Sequence, residues 1–141
     1  MMKKHVVTFL LSSIGLTTMI SQENYDYKIV PKIITIKDNV NRQILDYTKS
    51  KDIGMIEMIA PKDWTEPILG LNFETTGIVI NGKLGLQFKN ETLYFSKNEG
   101  FVIPKNKRVR IFNGGDKELR IIEIMRPAFQ ENLVQRFTSF E

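Results

Sequence analysis

Cysteine is absent, which excludes disulfides, thiolate nucleophiles and thiolate metal sites but leaves the compartment open. Histidine occurs once, at His5. Imidazole is the commonest metal ligand and general base, so this scarcity limits the available chemistry more than any other feature. Serine nucleophiles fall with it, because nothing is left to activate them and no Gly-x-Ser-x-Gly elbow occurs. The sequence also has no proline-rich linker, no solenoid-length repeat and no low-complexity tract. Its 141 residues, 42% of them hydrophobic, suffice for one domain with one core. The net charge of +4 and pI near 9.3 are diluted by interspersed acids. With no helix-turn-helix or zinc-finger spacing, the sequence argues against a nucleic-acid partner.

Lys3 and Lys4 precede an uncharged run of about fifteen residues, Val6 to Ile20. A basic segment followed by an apolar one resembles a secretory signal peptide. A membrane span needs about twenty apolar residues, and Ser12, Ser13, Thr17 and Thr18 dilute this run further. Cleavage after Ser21 would leave Met19 where a small residue is preferred, so a hydrophobic anchor is the second reading. A buried first strand over Val6–Leu11, in a cytoplasmic protein, is the third. The expectation is a signal peptide over residues 1–21 and one domain over 22–141, exported to the periplasm or secreted. Loss of Lys3 and Lys4 lowers the net charge from +4 to +2 and removes the histidine.

From Lys28 onward, short β-rich runs alternate with turn signals. Lys28–Ile36 is β-branched, and Pro31 places it at an edge or a bend. Ile53–Ala60 reads as a second strand. The segment Ile78–Phe88 consists of two apolar runs around Asn81-Gly82, which predicts a tight type I′ hairpin. Thr92–Phe95, Gly100–Ile103, Arg108–Phe112 and Leu119–Met125 follow as further strands, giving an antiparallel all-β sandwich or barrel. After Pro127, Phe129, Leu133, Val134 and Phe137 form a stripe that predicts a C-terminal α-helix closing one face or making a dimer contact.

Between Pro61 and Pro127 the order of strands and turns resembles the cupin superfamily. Its first motif, G-x5-H-x-H-x3,4-E-x6-G, closes on a glycine matched by Gly82. Its second, G-x5-P-x-G-x2-H-x3-N, is matched by Asn98 to Asn113, which keeps Pro104, the spacing and the final asparagine. Asn98 and Asn106 stand where the family has glycine, and asparagine also tolerates the left-handed backbone region. The resemblance implies an antiparallel jelly-roll barrel. Carried over residue by residue, the metal-ligand positions fall on Leu69, Leu71, Thr75 and Val109, or on Ile68 and Gly70 for the first two at the longer spacing. A set offering at most one hydroxyl does not hold a metal, so no metal and no cofactor are expected.

The resulting expectation is a non-catalytic, metal-free module that takes a small molecule or a protein partner, with a homodimer as a further option. Trp64, Leu69, Leu71, Thr75, Tyr94, Val109 and Asn113 are the candidate ligand-binding residues. Trp64 and Asn113 suit the barrel mouth, where an indole often stacks on a sugar, although Trp64 equally suits a core cap. The alternative is a metal-independent enzyme acting on a sugar or small organic acid, with Glu66 or Glu74 beside Tyr94 as acid and base. Carboxylates such as Glu66, Glu74 or Glu99 inside the barrel would favour that alternative. The basic run Lys105, Lys107, Arg108 and Arg110 suits either an anionic ligand or a solvated strand edge.

Overall fold

The computed structural model describes residues 26–141; the expected signal peptide and the alternative strand over Val6–Leu11 lie outside them. Among the described residues the chain forms eleven strands. They are β1 (Lys32–Lys37), β2 (Asn41–Asp46), β3 (Gly54–Ala60), β4 (Ile68–Leu71), β5 (Glu74–Asn81), β6 (Lys83–Gln87), β7 (Thr92–Ser96), β8 (Gly100–Ile103), β9 (Arg108–Asn113), β10 (Leu119–Arg126) and β11 (Val134–Phe137).

The strands form two antiparallel sheets. One has the order β1-β2-β3-β10-β5-β8, and the other β11-β4-β9-β6-β7. The jelly-roll expectation holds at this level, but the described strands remain two sheets rather than a closed barrel. Period-two alternation turns one face of each strand to the common interior. Leu119, Ile121 and Met125 of β10 meet Leu84 and Leu86 of β6 and Val109 of β9 in a single core. Ile33, Met55, Ile78, Val102 and Ile124 are exposed on the opposite face of the six-stranded sheet. The edge position expected from Pro31 is observed, since β1 begins just after it and is terminal in its sheet.

Two local expectations fail. The predicted hairpin at Asn81-Gly82 does not form: β5 pairs with β10 and β8, whereas β6 pairs with β7 and β9. Only Gly82 takes a positive φ, +80°, whereas a type I′ turn needs one at both central residues. The dipeptide is a corner at which the chain leaves one sheet for the other. A Cβ on Gly82 would stand 2.5 Å from the Glu118 carbonyl oxygen, so the corner requires glycine twice over.

The predicted C-terminal helix is also absent. Glu131–Leu133 makes one 3-10 turn, and Val134–Phe137 then pairs antiparallel with β4. Every residue of β4 is buried, and its backbone needs a partner on the side away from β9. A sheet edge that must be paired overrides the helical spacing of Phe129, Leu133, Val134 and Phe137. The two asparagines at family glycine positions do adopt the left-handed region, with φ of 69° at Asn98 and 63° at Asn106.

Candidate functional site

The sheets part on one side to leave an open cavity of about 1000 Å³. Its apolar wall includes Ile34, Ile44, Ile56, Met58, Leu69 and Leu71. Charged side chains enter this wall from several elements. Arg42 comes from β2, where it stands opposite Ile36 of β1. Glu66 comes from the segment before β4, which is joined to β9 by an isolated antiparallel bridge between Thr65 and Phe112. The Glu66 N–H donates to the Ile111 carbonyl over 2.8 Å, and the Asn113 N–H to the Trp64 carbonyl over 2.9 Å. This clamp carries Glu66 to Arg42, and Arg42 Nη1 donates to Glu66 Oε1. Arg42 Nη2 lies 3.8 Å from Asp38, and the guanidinium carbon 5.0 Å from the Trp64 ring centroid.

Glu123 completes the group. It lies on the inward face of β10 between Ile56 of β3 and Gly77 of β5, both directly opposite it. It makes no hydrogen bond or ion pair with the described residues. It is half-buried, and its remaining accessible surface faces the cavity. Burial pushes that carboxyl up to about 7, against the pull of Arg42 and with a further push from Glu66.

Of the sequence candidates, Trp64, Leu69, Leu71 and Thr75 line this cavity together. Trp64 is buried beneath Arg42 rather than displayed at a rim, since only 1% of its surface is exposed. Val109 is fully buried in the core. Tyr94 lies outside the cavity, more than half exposed, with its ring edge-on to Phe112 at 6.0 Å. Asn113 is buried as a structural clamp. Its Nδ2 donates to the carbonyls of Ala60 (3.3 Å), Pro61 (3.1 Å) and Lys117 (2.8 Å), and its Oδ1 accepts the Gly115 N–H at 3.0 Å. Glu74 and Glu99 are exposed, and Glu99 accepts the Ser96 N–H. Of the carboxylates weighed from sequence, Glu66 alone reaches the cavity.

Sequence reasoning missed Arg42 and Glu123. Glu123 interrupts the apolar run Ile121-Ile122-Glu123-Ile124-Met125, and a charge at an inward position of a central strand was the available signal. The basic run is largely engaged elsewhere. Arg108 stacks on Phe137 at 3.8 Å and donates to the Ser139 carbonyl, and Lys107 lies 4.7 Å above Phe88. Among the described residues no group of three or more His, Cys, Asp or Glu side chains is placed to hold a metal. Leu69, Leu71, Thr75 and Val109 supply a single hydroxyl between them, so the family's metal set does not fit here.

No protein-family model matches the sequence. The Myxococcus xanthus protein named Endoribonuclease YbeY is 28% identical over 91 residues, which is 64% of this chain. The chain spans about a third (31%) of that relative's length. Among solved structures, Streptomyces PAC13 with uridine superposes with a TM-score of 0.64 at 14% identity, covering 83% of this chain and 95% of that one. The Staphylococcus aureus capsular polysaccharide assembling protein CapF matches with a TM-score of 0.64 at 19% identity, over 77% of this chain and 35% of its own. The cupin domain of Schizosaccharomyces pombe Cnp3 matches with a TM-score of 0.57 at 15% identity, over 61% and 64%. At these identities the likeness shows the fold, and the fold is that of a cupin.

Proposed function

We propose that this cupin-fold chain is a metal-free small-molecule-binding protein whose ligand is a neutral, hydroxyl-bearing molecule of sugar or nucleoside size. The observation that carries this reading is the cavity of about 1000 Å³, apolar on one wall and charged at Arg42, Glu66 and Glu123. Ligand sites combine such walls with a few converging polar groups. Five cavity acids face three arginines: Asp38, Asp46, Glu66, Glu123 and Glu131 against Arg42, Arg110 and Arg136. Each arginine already has a partner, in Glu66, Gln87 and Glu131 respectively. That balance favours hydroxyl donors over anions, and the uridine held by the Streptomyces neighbour supports the ligand size.

The test is saturation-transfer NMR with uridine and a panel of hexoses, followed by titration calorimetry of whatever responds. Transfer that disappears in an Ile34→Trp variant, which fills the cavity from the edge strand β1, supports the reading. If no panel member responds and cavity resonances stay unshifted, the neutral-ligand reading is wrong. Stoichiometric transition metal in the purified protein would overturn its metal-free part.

A second reading, a metal-independent acid–base enzyme, is favoured by two titratable carboxyls, Glu66 and Glu123, lining one cavity. Turnover in deuterium oxide separates the two: proton abstraction from carbon leaves deuterium on the ligand, and simple binding does not. Export also remains our proposal, resting on the basic and apolar N-terminal run; a mature N-terminus that retains Met1 in the native host would end it.

A further inference from the structure

We propose that Glu123 sets what the cavity accepts through its own proton: as a carboxylate it takes hydroxyl donors and turns anions away, and as a neutral acid it admits them. This rests on the reading of the cavity as the ligand site. The geometry is that of a group with no task in the fold. Glu123 sits at the middle of a central strand, where its inward neighbours on β10, Ile121 and Met125, are buried core residues. No hydrogen bond or ion pair to it is found among the described residues. A carboxyl in such a place destabilises the fold, so a role in the cavity is the economical account of it.

The groups around it make its charge decisive. On β3 the opposite residue is Ile56, and on β5 it is Gly77, so neither neighbouring strand supplies a compensating charge. From β2 come Arg42 and Asp46, but Asp46 accepts the Thr48 N–H at 2.9 Å and Arg42 is bonded to Glu66 and faces Asp38. Across the cavity, Arg110 bonds to Gln87, and Arg136 to Glu131 at 2.6 Å. Each of these groups therefore has a partner of its own, although the buried Arg42 Nε has none, and protonation of Glu123 changes the net charge of the ligand space by one. Burial places that change near neutral pH, within the physiological range.

The probe is 8-anilinonaphthalene-1-sulfonate, whose rings suit the apolar wall and whose sulfonate carries the charge at issue. Its fluorescence titration is expected to tighten by on the order of tenfold between pH 8.5 and 5.5, the size of one partly screened charge interaction. Glu123→Gln should bind at the tight, low-pH level throughout. Ile34→Trp and Ile36→Trp, both on the edge strand β1, report whether the dye occupies the cavity. If both variants block the dye yet wild type and Glu123→Gln share one pH profile, the role of Glu123 is refuted and the cavity reading stands. If the dye fails to bind wild type, or binds both tryptophan variants as well as wild type, the cavity reading falls and takes this inference with it.

Discussion

Arg42 and Glu66, 24 residues apart in sequence, meet in a hydrogen-bonded ion pair at the cavity wall with only 11% and 15% of their side chains exposed. A pair this enclosed is coupled by more than a surface salt bridge, and removing one partner strands the other charge. Glu66→Ala should cost about 3 kcal/mol by urea denaturation, and the double-mutant cycle with Arg42→Met should return a coupling of about 2 kcal/mol. Additive single mutants would show that the pair contributes nothing to stability. Glu66→Gln should also move the Glu123 titration to lower pH, because it removes the like charge that helps to raise it.

The Glu123 carboxyl makes stability depend on pH. Its folded value of about 7 exceeds the ordinary 4.5, so the folded state binds the proton more tightly between those limits. Stability is therefore full below about 4.5 and is lost as pH rises through about 7, by about 3 kcal/mol from this group. Thermal melts of wild type and Glu123→Gln should converge at pH 4.5 and diverge above pH 7, with the variant more stable. Parallel melting curves from pH 4.5 to 8 would refute the desolvation argument.

The corner at Gly82 and the strand start at Gly100 make a contrasting pair. Gly82→Ala combines a positive φ with a Cβ 2.5 Å from the Glu118 carbonyl and should cost about 3 kcal/mol. Gly100→Ala meets nothing closer than the Gly77 carbonyl at 3.5 Å and should change stability by less than about 0.5 kcal/mol. Equal effects in chemical denaturation would remove the corner from the account.

Asn113 should behave as a structural residue. Asn113→Asp replaces a donor to three carbonyls by a carboxylate facing them, and should cost about 3 kcal/mol. Dye binding to the folded fraction should be unchanged, because the residue does not line the cavity. A selective loss of binding with full stability would reassign it to the site.

Several strand positions were legible in the sequence because alternation and turn residues are local signals: β3, β8 and β9 begin and end within about a residue of their expected bounds, whereas β2 and β4 were not read as strands. The left-handed turns at Asn98 and Asn106 were legible from the family spacing for the same reason. Partner choice was not. Asn81-Gly82 carries a hairpin signal, yet the partners of its flanking strands lie elsewhere in the chain, and Val134–Phe137 is a strand only because the edge of β4 must be paired. At the site, Leu69, Leu71 and Thr75 came from the motif register, and Glu66 was weighed because it lies beside the motif. Glu123 left a local mark as the one charge inside the apolar run Ile121–Met125, but the partners that bring it and Arg42 to the cavity are set by sheet register, which no local pattern encodes.

The corner at Gly82 also bears on how the chain reaches its native state. In most meanders two adjacent strands form a local nucleus by zipping together, but β5 and β6 have no pairing with each other to begin from. The local nuclei available are β1 with β2, β2 with β3 and β6 with β7. β5 waits for β10, some forty residues later in the chain, before it gains its central partner. Such long loop closures precede most of the stabilising contacts, so folding should be slow for a domain of this size, in the millisecond-to-second range of high-contact-order β proteins.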